Sequence, residues 1–410
     1  MDKKPKIRFK GFTDAWEQRK VSDLLTERNI QTPKSIEYPL MAFIQNQGVA
    51  PKGERYDRSS LVNDTENKLY KQTEYGDFIY SSNNLETGSI GLNKYGKACI
   101  SPVYSIFSPT GIADSDFIGR RFVRKDFINE MVKWRQGVIY GQWRIHESDF
   151  LKIDITVPSL PEQRKIGDFL DKLDNLITLH QRKYEKLKNV KKSLLEKMFP
   201  KNNSKFPEIR FKGFTDAWEQ RKLSSIATMH ARIGWQNLRT SEFLDRGNYY
   251  LITGTDFIDG EIDLKTCHFV EKERYDQDKN IQIKNGSILI TKDGTLGKVA
   301  YVEDLDKPAT LNAGVFNVVI IDKNMENKYL FHYLKAPFLM DYVGKRATGG
   351  TIKHLNQNIL VDFPVIHPSY DEQTKIGAFF SKLDNLITLH QRKCEKLKNI
   401  KKSMLEKMFV

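Results

Sequence analysis

A stretch of 35 residues that occurs twice limits what this chain can fold into. Residues 165–199 and residues 375–409 lie 210 positions apart and differ at only six paired positions. In the first copy apolar residues recur every three or four positions over more than four heptads, with one gap of five, and the second copy repeats the pattern. The predicted seam positions of the first copy are Ile166, Phe169, Leu173, Leu176, Leu179, Tyr184, Leu187, Val190, Leu194 and Met198. This spacing predicts a long helix with a coiled-coil seam. Two such helices in one chain pair most simply as an antiparallel coiled coil around a pseudo-twofold axis.

The ends of the two helices are also marked in the sequence. Ser159 and Glu162 match the capping box, in which a serine and a glutamate satisfy each other's backbone amides, and Ser369 and Glu372 repeat it. Pro200 ends the first copy because proline lacks the amide that the helix needs. The helix between these signals would be about 55 Å long at about 1.5 Å per residue.

A second repeat lies upstream of each helix. Residues 7–20 and residues 209–222 share the same fourteen letters, IRFKGFTDAWEQRK, which we call the box. Trp16 and Trp218 in the two boxes are better explained as packing anchors than as ligand contacts. The predicted order is a first domain at 1–157, a first helix at 158–200, a linker at 201–208, a second domain at 209–367 and a second helix at 368–410.

The segments between box and helix are predicted to be two mixed α+β domains. Short runs rich in apolar and β-branched residues, bounded by glycine and asparagine, predict strands at 77–80, 100–107, 153–157, 249–253, 287–291, 299–302 and 315–321. Helices are predicted at 127–135 and at 328–342, with Pro337 inside the second or at a break in it. The domains share a skeleton but little sequence, and residues 76–80 correspond in placement to residues 286–290. Constant helices with divergent domains indicate fixed geometry and variable specificity.

The composition points to a polyanionic partner. The chain has 66 basic and 52 acidic residues and a net charge of +14, which favours nucleic acid over a membrane, although ordinary solubility charge is an alternative. Cys99, Cys267 and Cys394 are far apart and have no metal-ligand spacing, as in proteins of a reducing compartment. The N-terminus has no secretory pattern and no apolar run reaches membrane length. We expect a cytoplasmic protein.

Motifs that would indicate an enzyme are absent from the sequence. It contains no phosphate-binding P-loop, no dinucleotide-binding glycine pattern and no motif of an amino-methyltransferase. Asp263 and Lys265 form a nuclease-like D-x-K, but chance explains it better in a chain so rich in acids and lysines. We therefore expect no catalytic residue and no metal site.

Two segments carry residues suited to DNA. Both combine glycines with side chains that read base edges or hold phosphates, arginine and lysine for guanine and glutamine for adenine. The alternative is that they are polar surface loops. A further pair of loops, at matching places in the two domains, is a weaker candidate. The candidate DNA-binding residues are Arg135, Gln136, Tyr140, Gln142 and Arg144, then Lys345, Arg346, Thr348, Thr351, Lys353 and His354, and in the weaker loops Ser82, Asn83 and Lys292.

The repeated helix, its PEQRKIGDFLDKLD entry and the box together resemble the specificity subunit of type I restriction-modification systems, over the whole chain. The resemblance implies two target recognition domains, each reading half of a split, asymmetric DNA site. It also implies that the helices form the spacer and dock the modification subunits, two in number. The residues expected to contact those partners are Leu173, Leu176, Leu187, Leu383, Leu386 and Leu397.

The same resemblance implies where the chemistry lies. The modification subunits would bind S-adenosylmethionine and methylate adenine, and the restriction subunits would use ATP and Mg²⁺ to cut DNA. This chain would bind no cofactor itself. The competing hypothesis is a DNA-binding regulator or architectural protein without enzyme partners.

Overall fold

The computed structural model describes residues 4–51, 68–138, 142–201, 204–294, 296–346 and 355–410, without the side chains of Val138 and Trp235. The chain divides into two compact units, each taken by itself below. The first unit comprises residues 1–180 and 392–410, and the second comprises residues 181–391.

The first unit holds the first box, the first domain and parts of both long helices. Its strands are β1 (Glu17–Lys20), β2 (Leu25–Glu27), β3 (Gln31–Thr32), β4 (Ala42–Ile44), β5 (Gly48–Ala50), β6 (Tyr70–Thr73), β7 (Phe78–Tyr80), β8 (Ile90–Leu92), β9 (Ala98–Ile100), β10 (Ser105–Pro109), β11 (Gln136–Val138), β12 (Gln142–Arg144) and β13 (Asp154–Val157). Its helices are α1 (Val21–Leu24), α2 (Ser115–Phe122), α3 (Lys125–Val132), α4 (Glu147–Phe150) and the start of α5 (Leu160–Lys197).

The second unit repeats this plan with the second box and domain. Its strands are β14 (Glu219–Lys222), β15 (Ala227–His230), β16 (Tyr249–Ile252), β17 (Phe257–Ile258), β18 (Glu261–Ile262), β19 (His268–Val270), β20 (Gln282–Ile283), β21 (Ile288–Thr291), β22 (Val299–Tyr301), β23 (Ala309–Leu311), β24 (Val315–Ile320) and β25 (Pro364–His367). Its helices are α6 (Lys272–Asp276), α7 (Asn327–Lys335), α8 (Pro337–Arg346), α9 (Gln357–Val361) and the start of α10 (Tyr370–Lys407). Short 3₁₀ helices lie at Leu223–Ser225, Gly234–Gln236, Thr240–Glu242, Gly254–Asp256 and Lys279–Ile281.

A four-stranded antiparallel sheet with the same connectivity lies in each unit. Its order is β2-β10-β7-β8 in the first and β15-β24-β21-β22 in the second. The predicted match between residues 76–80 and 286–290 is confirmed. Gly76 and Gly286 lie in the turns just before the equivalent strands β7 and β21, with φ of +90° and +91°, a left-handed conformation that glycine adopts without strain.

The boxes are packing anchors, as predicted. Strand β1 of the first box pairs with β13, which directly precedes α5, and β14 of the second box pairs with β25 in the same register. Trp16 and Trp218 are buried in the two main cores. Trp16 meets Phe117 edge-on at 5.8 Å between ring centroids, and Trp218 meets Tyr329 edge-on at 6.1 Å. Each box therefore fixes the start of its domain beside the start of its helix.

One local prediction needs correction. The strand predicted at 100–107 is two strands, β9 and β10, separated by a turn that contains Pro102. Proline cannot donate to a sheet ladder, which explains why the strand is interrupted there. The helical segment predicted at 328–342 is confirmed with a break at Pro337: the first helix ends before Ala336, and Pro337 begins the second.

The long helices pair antiparallel, as predicted. In the first unit, Asp174 near the start of α5 forms an ion pair with Lys401 near the end of α10, at 2.5 Å. In the second unit, Lys191 near the end of α5 pairs with Asp384 near the start of α10. These are the same two positions of the repeat with their helices exchanged. In each unit the N-terminal half of one helix therefore packs against the C-terminal half of the other.

The predicted seam is wrong at three positions of α5. Leu176, Leu179 and Val190 are exposed, whereas Leu170 is buried and Ile177 is partly buried. The first half of each helix carries two apolar stripes, and three- or four-residue spacing alone does not distinguish the inner one from the outer one.

The two helix copies differ where each meets its own domain. In the first unit Asp171 accepts hydrogen bonds from Lys94 at 2.6 Å and from Arg120 at 3.3 Å. The matching residue of α10 is Ser381, whose hydroxyl lies 3.4 Å from Nε2 of the buried His332. A carboxylate thus faces two cations in one unit and a hydroxyl faces an imidazole in the other. Each helix is therefore matched to the domain that packs on it.

Lys191 should make the stability of the second unit depend on pH. Burial and the charge of Lys335, opposed by Asp384, lower the pKa of Lys191 from 10.5 to about 8. Below pH 8 the ammonium is charged in both folded and unfolded chains, so the folded state bears the cost of burying it. Between pH 8 and pH 10.5 only the unfolded chain stays protonated, so the free energy of unfolding rises.

Urea unfolding of the wild type and of Lys191→Met measures this effect. We expect the difference between their unfolding free energies, wild type minus variant, to rise by about 2–3 kcal/mol between pH 7.5 and 10.5. A difference that does not change with pH would contradict this prediction. The companion variant Asp384→Asn should destabilise more than Lys191→Met at pH 7, because it leaves the buried ammonium without its anion.

Candidate nucleic-acid interface

The first candidate segment forms a two-stranded ribbon. Strands β11 and β12 pair only with each other among the described residues, with Gln136 opposite Arg144 and Gly137 opposite Trp143. Directly opposed residues of an antiparallel pair share a face and successive residues alternate. Gln136, Gln142 and Arg144 therefore lie on one face and Trp143 lies on the other. A ribbon of this kind is narrow enough to enter the major groove of DNA.

Ser82 and Asn83 hold the base of this ribbon. The Asn83 side-chain oxygen accepts a hydrogen bond from the backbone amide of Trp143 at 2.6 Å. The Ser82 hydroxyl accepts one from the backbone amide of Ile145 at 3.0 Å, and the Ile145 side chain is buried in the core. Both residues were predicted as DNA contacts. Their side chains position the ribbon strand, a role that local sequence did not suggest.

The two arginines predicted in this segment differ in the exposure of their side chains. Arg135 donates to Glu86 at 2.9 Å, and its side chain is only 10% exposed, so it braces the loop rather than reaching outward. Arg144 is 55% exposed and lies 3.6 Å from Glu147. Burial alone would raise the pKa of Glu147, but the Ser105 hydrogen bond and nearby cations outweigh burial and lower it. Glu147 therefore stays ionised and orients the Arg144 guanidinium.

The second domain has an equivalent anchor at the same place. Lys292 follows β21 as Ser82 follows β7, and its backbone carbonyl accepts a hydrogen bond from the amide of Leu355 at 2.8 Å. Leu355 is buried, as Ile145 is in the first domain. The Lys292 ammonium lies over the Phe316 ring at 5.5 Å from its centroid. In both domains, therefore, the segment before the last short helix, α4 or α9, is hydrogen-bonded to the equivalent loop of the central sheet.

The remaining candidates of the second domain lie at the end of α8 or beyond it. Lys345 and Arg346 are exposed in the last turn of α8, where basic side chains suit the helix dipole. The Arg346 guanidinium stacks on the Tyr342 ring at 3.8 Å. The other predicted residues lie outside the described part of the chain: Tyr140, Thr348, Thr351, Lys353 and His354.

A cavity of about 470 Å³ beside Lys292 was not anticipated, and Asp293, Asn356 and Gln357 contribute polar groups to its lining. Arg232 also lines it but is buried, and its guanidinium donates to the carbonyl of Leu311 at 2.9 Å. That arginine is therefore engaged within the domain.

The outer faces of the long helices form a second candidate surface. Leu176 is 43% exposed and Leu179 is exposed beside it, and Leu386 at 45% and Leu389 repeat the pair on α10. Of the other leucines predicted to contact partners, two are buried within their own units and two are partly buried: Leu173 and Leu383, then Leu187 and Leu397. We call the four exposed leucines the outer leucine pairs.

Within the described ranges, no group of three or more His, Cys, Asp or Glu side chains could hold a metal ion. The three cysteines are buried, and none of them forms a disulfide. None of the described helices is both long and apolar enough to cross a membrane.

A family model described as the type I restriction modification DNA specificity domain matches residues 13–189 and, a second time, residues 215–399. The two matches together span most of the chain. The chain belongs to this family. Each match contains one domain with its central sheet and most of the helix that follows it, so the family pattern has the same duplication as the fold.

Similarity to individual members is more distant. The MjaVIII type I restriction enzyme specificity subunit of Methanocaldococcus jannaschii is 24% identical over 264 residues, which are 62% of this chain and 61% of that protein. The MjaIX specificity subunit of the same organism is 28% identical over 125 residues, 30% of this chain and 28% of that protein. The matches thus span less than two thirds of these curated relatives.

A solved structure shares the fold over almost the full length. The crystal structure of the S subunit of a type I restriction-modification system from M. genitalium covers 99% of both chains with a TM-score of 0.58 at 15% identity. The arrangement of two α+β domains and two long helices is therefore one that this family adopts.

Proposed function

We propose that this chain is the DNA-binding subunit of a type I restriction-modification complex. Each domain recognises one half of a bipartite, asymmetric target, and the chain directs methyltransferase and restriction subunits to that target. The chain performs no catalysis. S-adenosylmethionine, ATP and Mg²⁺ act in the partner subunits, and the complex works in the cytoplasm, where its DNA is.

The observation that carries this proposal is that the family domain occurs twice, and that the segments held by the anchoring loops differ in sequence between the two copies. The same sheet and the same anchoring loop occur twice, which supports two equivalent DNA-facing elements. The residues that these loops hold differ between the domains, and a DNA reader with two different elements recognises two different half-sites.

Sequencing methylated adenines in cells that express this chain with its modification subunit tests the proposal. We expect one split motif whose two halves differ in sequence. Specific DNA binding without any methylated motif, and without a methyltransferase in the purified complex, would favour a regulator or architectural protein instead.

The outer leucine pairs are the proposed docking sites for the modification subunits. They lie in a stretch that is identical in both copies, residues 172–183 and 382–393. Identical surfaces bind identical partners, so two copies of this surface support two modification subunits per chain. Nearly half of the surface of each of these leucines is exposed to water in the chain alone. Burying this apolar surface against a partner would favour association.

Replacing Leu176 and Leu386 together by lysine should remove both modification subunits, because a lysine cannot be buried at an apolar contact without cost. Either single variant should leave one subunit bound, as measured by the mass of the purified complex. Ile36→Lys, which places the same charge at a fully exposed apolar residue of the first domain, is the control and should keep both. Two bound subunits in the double variant would show that docking uses another surface.

A further inference from the structure

The face of the ribbon opposite its arginine and glutamines has its own chemistry. Trp143 projects from that face with half of its surface exposed, and the residue across from it is Gly137. A Cβ atom added to Gly137 would meet no atom of the described residues within 4 Å. The indole therefore borders an open slot, one strand wide, whose floor is a glycine backbone.

The opposite face is turned toward carboxylates of its own domain. Gln136 donates to Asp149 at 3.4 Å, and Arg144 lies near Glu147. Asp149 and Glu147 both belong to helix α4. Asp149 also pairs with Lys152 at 2.9 Å, so Gln136 and Arg144 contact charges that their own domain already balances. The Trp143 face, in contrast, carries an uncharged aromatic ring and no side chain at Gly137.

Trp143 is also held in place before any ligand arrives. Its backbone amide donates to Asn83 at 2.6 Å, and the amide two residues later donates to Ser82 at 3.0 Å. These bonds fix the strand that carries the ring. An exposed aromatic side chain on a fixed backbone binds flat partners with little loss of conformational entropy.

We propose that Trp143 contacts the first half-site of the target, packing its ring on the methyl group of a thymine in the major groove, with the Gly137 slot admitting that group. This inference rests on the proposed function and adds to it a specificity-determining residue. Apolar contact with a thymine methyl group distinguishes thymine from the other bases of the major groove, whereas a structural tryptophan would be buried.

The test compares three variants in the complete complex with its modification subunits. Trp143→Ala removes the ring, Trp143→Phe keeps an aromatic face, and Gly137→Val fills the slot beside the ring from a Cβ position that has no neighbour within 4 Å among the described residues. We expect Trp143→Ala and Gly137→Val each to weaken binding to the cognate target roughly 10- to 100-fold, and Trp143→Phe to weaken it only a few-fold. Binding to scrambled DNA should change less than about twofold, because phosphate contacts dominate it.

Gly137→Val is the sharper variant, because valine favours a strand and a purely structural role for this face predicts no loss of binding. The contact is identified with modified targets, in which uracil replaces thymine or an abasic nucleotide replaces one base of the first half-site at a time. If the wild type loses its affinity advantage over Trp143→Ala at the same position on uracil and on the abasic nucleotide, the contact is the thymine methyl group and the proposal is supported. An advantage that uracil leaves unchanged at every position would overturn it.

Unchanged cognate binding by Trp143→Ala and Gly137→Val would overturn the inference while leaving the proposed function intact. Loss of the modification subunits with normal DNA binding would also overturn it, because Trp143 would then contact protein. A wild-type complex without any sequence preference would instead refute the proposed function itself.

Discussion

Replacing Arg8 by alanine should destabilise the first unit by about 3–5 kcal/mol, the cost of removing one partner of a buried ion pair. Arg8 donates from Nε and Nη2 to the two carboxylate oxygens of Glu162, at 2.6 and 2.7 Å. The Glu162 side chain is 1% exposed, so water cannot replace the guanidinium. Urea unfolding of the variant measures this loss. A loss below about 1 kcal/mol would show that the carboxylate finds another partner.

Two comparisons separate this ion pair from general damage to the box. In a double-mutant cycle, Arg8→Ala combined with Glu162→Gln should cost clearly less than the sum of the single variants, because the double variant buries no unpaired charge. The second unit supplies a matched test. Arg210 binds both oxygens of Glu372 at 2.8 Å, and Glu372 is also 1% exposed, so Arg210→Ala should cause an equal loss there.

The same ion pair shows where sequence reasoning stops. The capping-box pattern drew attention to Glu162, but local spacing could not reveal that its carboxylate meets a residue 154 positions earlier in the chain. Repeats, in contrast, are visible at any distance. The two boxes, the two helices and their antiparallel pairing were all predicted because each copy identified the other. Long-range side-chain partners carry no comparable signal in one sequence.

The candidate DNA-binding residues show the same limit. Residue type pointed to the ribbon segment because glutamine, arginine and glycine stand together there, and its contact with DNA stays a prediction. Residue type could not distinguish side chains that extend into solvent from side chains that hold the loop. Ser82, Asn83 and Arg135 are used inside the domain because the residues opposite them, among them Glu86, become neighbours only when the loop folds. The alternation around Trp143 was the signal available in the sequence, since Gln142, Trp143 and Arg144 must point to alternating faces once they form a strand.

Lengthening both long helices by one heptad should lengthen the gap between the two half-sites of the DNA target by about three base pairs. Seven helical residues add about 10 Å, and duplex DNA rises about 3.4 Å per base pair. Residues 174–180 and 384–390 both read DNLITLH, so the same heptad can be duplicated in each helix. A seven-residue insertion also returns the apolar stripes to nearly the same faces, which preserves the pairing.

The readout is selection from a DNA library in which the gap varies and the half-sites are constant. Duplicating the heptad in α5 alone is the control, and it should destabilise the chain, because the two helices then no longer match in length. An unchanged preferred gap in the double insertion would mean that helix length does not set the spacing. The helices would then serve mainly to dock partners through the outer leucine pairs, a role that the lysine variants of Leu176 and Leu386 measure independently.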